Sequence, residues 1–81
     1  MNQTLRYDVV YEKAPEGGYV AYAPALPGCH TQGETIEETR DNIHEAIELY
    51  LESLKEAGEP IPSMQESFHG VVEVSGHKVL A

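Results

Sequence analysis

Thr35-Ile36-Glu37-Glu38 is the stretch that decides the fold, because it marks the place where a long helix begins. It has the form of a capping box. Its threonine hydroxyl can accept a hydrogen bond from the backbone N–H of the last glutamate, whose carboxylate can accept one from the N–H of the threonine. The helix is predicted to run to Ala57, since Gly58 favours a left-handed stop and Pro60 prevents the helix from resuming.

The side chains of this helix divide into an apolar and an acidic face. At about 100° per residue, one apolar stripe forms along the helix, and Thr39, Ala46 and Leu51 widen it. The stripe consists of Ile36, Ile43, Ile47, Tyr50 and Leu54. A stripe of this breadth indicates a helix that packs on a sheet.

The opposite face of the helix carries a row of carboxylates: Glu34, Glu38, Asp41, Glu45, Glu48, Glu52 and Glu56. Such a stripe is usually a solvated surface. It can also be a docking surface for a basic protein, and the apolar Leu49 beside the acids favours this second interpretation. The candidate partner-contact residues are Glu38, Asp41, Glu45, Glu48, Leu49 and Glu52.

Two strands are predicted at the start of the chain. Residues 4–12 (TLRYDVVYE) alternate in polarity, and residues 14–18 (APEGG) have the proline and glycines of a turn. Residues 19–23 (YVAYA) then return as the second strand of a hairpin. One face of the first strand consists of Leu5, Tyr7, Val9 and Tyr11. Both faces of the second strand are apolar, so the pattern leaves its buried face open.

The residues around the helix complete an α+β fold. Residues 24–28 (PALPG) leave the sheet, because proline cannot donate to a central ladder, and residues 29–32 form a short third strand of an antiparallel meander. After the helix, residues 59–69 are predicted to be a linker, and residues 70–74 (GVVEV) a fourth strand. Residues 1–81 therefore form one domain with the order β-β-β-α-β.

Charge and composition limit the kinds of partner. Five Lys and Arg residues face fourteen Asp and Glu residues, so the net charge is −9 and the chain has few cations to neutralise phosphates. Direct binding to nucleic acid or to an anionic membrane is not expected, whereas a basic protein would be attracted. The sequence has one cysteine, Cys29, and no run long enough for a membrane span, so a cytoplasmic location is predicted.

The sequence has no catalytic pattern, and no catalytic, cofactor-binding or metal-binding residue is predicted. A two-metal nuclease site needs carboxylates that converge from strands and a helix. Asp8 and Glu12 lie on the polar side of the first strand, while the helix acids are expected to point away from the sheet. Cys29 and His30 are adjacent, so their side chains should alternate across a strand instead of sharing a metal.

Several short motifs, in order, resemble the HicB family of bacterial antitoxins. They are residues 17–22 (GGYVAY), 24–29 (PALPGC), 31–35 (TQGET), 46–51 (AIELYL) and 58–62 (GEPIP). Each motif alone is common, but the ordered set is specific. The resemblance implies a partial ribonuclease H-like fold that lacks that fold's nuclease carboxylates. It also implies a partner, a small basic ribonuclease toxin of the HicA type, and assembly into dimers or tetramers.

The resemblance leaves other functions open. Many HicB proteins carry a C-terminal DNA-binding domain, and residues 75–81 are too few for one, so DNA binding is not expected. A second hypothesis is a solitary HicB-like homo-oligomer with a structural or regulatory role and no toxin partner. A third, far less favoured, is a metal-dependent nuclease that uses Asp8.

Overall fold

The computed structural model describes residues 4–63 and 70–80. Within these residues, β1 (Val10–Lys13), β2 (Tyr19–Tyr22) and β3 (His30–Gly33) form an antiparallel sheet in the order β1-β2-β3. The predicted meander is therefore confirmed.

The turn between β1 and β2 also forms as predicted. The backbone N–H of Ala14 donates to the Gly18 carbonyl at 3.0 Å, and Gly17 and Gly18 have φ angles of 106° and 76°. Residues other than glycine rarely adopt such angles, so these two glycines allow the chain to reverse within five residues.

The first strand is shorter than predicted. Its ladder begins at Val10, which is opposite Tyr22, the last residue of β2. Pro24 follows closely and limits how far the ladder with β2 extends, so within residues 4–63 and 70–80 the paired part of the first strand starts at Val10. The prediction that the strand starts at residue 4 was therefore wrong.

The buried face of β2 is the one that carries Ala21. Ala21 is fully buried, whereas Tyr22 is exposed. Ala23, Leu26 and Cys29 continue the buried cluster into the loop between β2 and β3, where the Leu26 N–H donates to the Ala23 carbonyl at 3.0 Å. Alanine on this face leaves room for the helix to lie close to the sheet.

Helix α1 (Ile36–Glu56) starts and stops at the predicted places. The Thr35 hydroxyl accepts from the Glu38 N–H at 3.0 Å. The return bond differs from the prediction, because the Glu38 carboxylate accepts from the N–H of Glu34 at 3.4 Å instead of the N–H of Thr35. At the other end, Gly58 has a φ of 71° and its N–H donates to the Lys55 carbonyl at 3.1 Å.

The helix packs across β3 and β2. Thr39 and Ile43, both on the predicted inner side of α1, are buried there. Gly33 at the end of β3 comes so close that a Cβ on it would lie 2.6 Å from the Thr39 Oγ1. The contact of α1 with the sheet is therefore close at its N-terminal end, and β1 is left with little cover.

The predicted fourth strand does not form. Among the described residues, 70–75 have no regular secondary structure, and they lead into a one-turn helix, α2 (Gly76–Val79). The β-branched run GVVEV gave the prediction, but a strand exists only when it has a partner, and none of the described strands pairs with these residues. The predicted linker 59–69 lies partly outside the described residues. The fold shown is α+β, with three strands and one long helix.

Candidate protein-binding site

Two hydrogen bonds fix the orientation of α1 on the sheet. The Asn42 side-chain amide donates to the backbone carbonyl of Gln32 at 2.8 Å, and the Tyr50 hydroxyl donates to the carbonyl of Pro27 at 2.9 Å. One anchor lies in the first half of the helix and the other in the second half. Together with the buried Thr39, they determine which side of α1 points outward.

The residues predicted to contact a partner all lie on this outward side. We call them the acidic face: Glu38, Asp41, Glu45, Glu48, Leu49 and Glu52, every one of which is exposed. From first to last they extend over about 21 Å of helix, at 1.5 Å per residue. Leu49 is 58% exposed in the second half of this row. The structure thus brings the predicted residues together on one continuous surface.

A histidine borders the acidic face. The His44 Nδ1 lies 3.4 Å from a carboxylate oxygen of Glu48, one helical turn away. Both side chains are largely exposed, so solvent screens the interaction and its contribution to stability is small. The acidic face thus consists of five carboxylates and Leu49, with one histidine beside it.

A groove between the N-terminal segment and α1 was not predicted. This N-terminal groove has a volume of about 540 Å³. Its apolar lining comes from the N-terminal segment (Leu5, Tyr7, Val9, Tyr11) and from the helix (Ile43, Ile47, Leu51). The alternation in residues 5–11 was the sequence signal for this surface. The face predicted for a longer strand instead lines one side of the groove.

Positive charge borders the N-terminal groove. Arg6 and Arg40 line it, together with His44 and Glu48. The last two residues also lie at the acidic face, so the groove and the acidic face meet along α1. The surface of this acidic chain therefore changes character within the width of one helix, from a row of carboxylates to an apolar groove beside two arginines.

The described residues give little support for a metal site, a cysteine–histidine pair or a membrane span. Among residues 4–63 and 70–80, no three His, Cys, Asp or Glu side chains come together in a way that could hold a metal ion. Cys29 is buried while His30 is exposed, as their predicted alternation requires, and burial raises the pKa of the Cys29 thiol. Neither α1 nor α2, the helices of the described part of the chain, combines the length and apolar character needed to cross a membrane.

Comparison with known proteins gives the family. Residues 7–76 match the profile described as HicB-like antitoxin of bacterial toxin-antitoxin system. The chain belongs to the HicB-like antitoxin family. The match includes β1, β2, β3 and α1, and it extends through the predicted fourth strand to the start of α2.

Individual relatives agree with this membership. A UPF0150 protein of Synechocystis sp. is 53% identical over 60 residues, which cover 74% of this chain and 76% of the relative. A UPF0150 protein of Thermoplasma acidophilum is 52% identical over 58 residues, or 72% of this chain and 84% of the relative. An uncharacterized 14.9 kDa protein of Haemophilus phage HP1 is 38% identical, over 72% of this chain but 43% of its own length. The part of the phage protein that resembles this chain is thus less than half of that protein's length.

Proposed function

We propose that this protein is an antitoxin that neutralises a small basic ribonuclease toxin of the HicA type by binding it through the acidic face. Membership of the HicB-like family suggests the antitoxin role. A net charge of −9 would steer a basic toxin towards this chain and speed their encounter. Binding there would cover the basic surface by which such a toxin holds RNA.

The observation that carries the proposal is the arrangement of the acidic face. Leu49 is an exposed apolar side chain with carboxylates before and after it along α1. Protein interfaces commonly have an apolar centre surrounded by polar residues, and the centre contributes most of the binding energy. Because α1 is anchored at Asn42 and Tyr50, this pattern is presented on a fixed helix.

The test is to mix the protein with the toxin encoded by the neighbouring gene and to measure the association rate at low salt. The variant Glu45→Lys/Glu48→Lys/Glu52→Lys should lower that rate by about tenfold or more, since electrostatic steering contributes on the order of 10 to 1,000-fold. Protection of RNA from cleavage should fall in parallel. An unchanged rate would remove the acidic face from the mechanism.

A matched control separates this surface from the overall charge. The variant Glu12→Lys/Glu16→Lys/Glu59→Lys changes the net charge by the same amount, and its three positions are exposed but lie outside α1. We expect this control to slow association much less than the variant on α1. Equal effects of the two variants would mean that net charge alone attracts the toxin.

Three further properties belong to this proposal. The protein would act in the cytoplasm, where a ribonuclease toxin meets its RNA substrates. It would assemble into dimers or tetramers, and its meander with one helix would be the remainder of a ribonuclease H-like fold. The three strands and the helix support the last point by their order.

A second candidate function is a homo-oligomeric structural or regulatory protein without a toxin partner. The exposed valines of residues 70–74 favour self-association and hence support this alternative. If the protein self-associates but neither binds nor inhibits the neighbouring gene product, this second function replaces the first.

A further inference from the structure

The N-terminal groove leaves aromatic and aliphatic surface open to solvent. Leu5 and Tyr11, which line it, are 49% and 37% exposed. Its volume of about 540 Å³ has room for a few side chains of another protein. Tyrosine is enriched in the centres of protein interfaces, where an aromatic ring contributes a large share of the binding energy. The groove is therefore a surface that can hold an apolar part of a partner.

The groove exists because α1 covers only part of the sheet. Tyr11 of β1 is paired with Ala21 of β2, so the two side chains point to the same face of the sheet. Ala21 is fully buried in the cluster that contains Ile43 of α1, so this is the face on which the helix lies. The helix packs on β3 and β2. Tyr11 thus lies on the helix side of the sheet but beyond the strands that α1 covers.

Two of the five Lys and Arg residues of the chain line this groove, namely Arg6 and Arg40. Within residues 4–63 and 70–80, the salt bridge that forms joins His44 to Glu48 and includes neither arginine. A guanidinium can bind a carboxylate through two parallel hydrogen bonds, which gives a strong and well-oriented contact. Charge complementarity therefore predicts a carboxylate beside the apolar residues that occupy the groove.

The groove adjoins the acidic face along α1. Glu48 belongs to the acidic face and also lines the groove, and Arg40 of the groove is next to Asp41 of the acidic face. A protein interface of standard size buries about 800 Å² on each partner. The acidic face is a row of side chains on one helix, whose full width is only about 10–12 Å, so it supplies a part of such an area. A protein that docks on the acidic face therefore reaches the groove as well.

We infer that the partner bound at the acidic face also inserts an apolar segment into the N-terminal groove, where a carboxylate of that segment contacts Arg6 and Arg40. The occupant is thus a basic protein whose basic surface adjoins an apolar segment with an Asp or Glu. This inference rests on the proposed function, because it concerns the same partner. The two surfaces have different effects: the acidic face speeds the encounter, and the groove slows dissociation.

The first test is the rate at which the complex with the small basic protein encoded by the neighbouring gene dissociates. Tyr11→Ser should raise this rate about tenfold or more and leave the association rate nearly unchanged, because changes within an interface act mostly on dissociation. Tyr22→Ser is the matched control. Tyr22 is 38% exposed, close to the 37% of Tyr11, but it follows Ala21 in β2 and so points to the opposite face of the sheet.

A second groove variant guards against a loss of folding in the first. Leu5 precedes the first paired residue of β1, so Leu5→Ser leaves the sheet ladder intact, and it should also speed dissociation. Circular dichroism of each free variant shows whether the fold is kept. Dissociation of both groove variants at the rate of Tyr22→Ser would overturn the inference.

The arginines give a test in which the two outcomes have opposite signs. If no carboxylate faces them, they only repel a basic partner, and Arg6→Gln/Arg40→Gln should slow dissociation. If a carboxylate faces them, the same variant should raise the dissociation rate about tenfold, and this is the expected result. Lys13→Gln/Lys78→Gln changes the net charge equally at two exposed positions outside the groove and should leave the rate unchanged. Slower or unchanged dissociation of the arginine variant would refute the carboxylate contact.

The failure of this inference can be told apart from the failure of the proposed function. If the neighbouring gene product does not bind, both are wrong. If Glu45→Lys/Glu48→Lys/Glu52→Lys slows association while the groove variants dissociate like their controls, only the groove inference is wrong. Native mass spectrometry of the free protein adds one more outcome, since a lower mass for Tyr11→Ser than for wild type would assign the groove to a second copy of the chain and overturn the inference.

Discussion

Replacing Gly33 with alanine measures how tightly α1 lies on the sheet. The new Cβ would lie 2.6 Å from the Thr39 Oγ1, 2.8 Å from the Thr39 backbone nitrogen and 3.0 Å from the Thr39 Cα. Two of these three atoms belong to the helix backbone, so rotating a side chain cannot remove the clash and the helix itself must move. Overpacking of this kind costs about 1–3 kcal/mol.

The expected loss of stability is easily measured. In a domain of this size each kcal/mol lowers the Tm by roughly 4–8 °C. Thermal unfolding followed by circular dichroism should therefore show a clear decrease for Gly33→Ala. The acidic face lies on the same helix, so under the proposed function toxin binding should also weaken when α1 is displaced.

Two companion variants make this result interpretable. Gly70→Ala is the control, since its Cβ would meet nothing within 4 Å, and we expect it to leave the Tm nearly unchanged. Thr39→Ala removes the nearest of the clashing atoms but leaves the backbone ones. Combined with Gly33→Ala it should therefore destabilise by less than the sum of the single effects. If Gly33→Ala is as stable as Gly70→Ala, the helix is not as close to the sheet as the structure has it.

Two other predictions concern the helix start and the buried thiol. Thr35→Ala removes the hydroxyl that accepts from the Glu38 N–H and should cost about 1 kcal/mol in denaturant unfolding, whereas Thr35→Ser, which keeps an acceptor, should cost less. Burial raises the pKa of Cys29 above its ordinary value of 9.0, so the folded state holds the proton more tightly than the unfolded state. The stability that the buried, protonated thiol contributes is therefore complete below pH 9.0 and is lost as the pH rises through the pKa of the folded state. Cys29→Ala should remove this part of the dependence of stability on pH. An unchanged stability profile in that variant would contradict the prediction.

Local signals explain what could be predicted from the sequence. The capping threonine, the glycine after the helix and the glycine pair in the hairpin act on their immediate neighbours, so their effects do not depend on the rest of the fold. The acidic face followed from helical periodicity alone. Its role as a docking surface stays a prediction, because periodicity says where side chains point and not what they bind.

Non-local pairing explains what could not be predicted. The start of β1 at Val10 depends on where β2 ends, and residues 70–74 have a strand-like composition but no strand to pair with in the described chain. The buried face of β2 was hidden because apolar residues occupy both of its faces. The N-terminal groove depends on how α1 crosses the sheet, because this crossing leaves β1 largely uncovered. The sequence of a single segment does not reveal such a crossing.

The small core connects binding with folding. Within the described residues, the buried hydrophobic side chains are Ala21, Ala23, Leu26, Cys29 and Ile43. Two of the five are alanines, and a chain of 81 residues buries only about 60–65% of its unfolded surface, so its margin of stability is small. A partner that binds only the folded state adds about 2.7 kcal/mol when its concentration is 100 times the Kd. Under the proposed function, a partner bound at the acidic face would therefore protect the chain from unfolding. The abundance of the chain would then follow the concentration of the proposed toxin, since the chain without a bound partner opens more often and is degraded first.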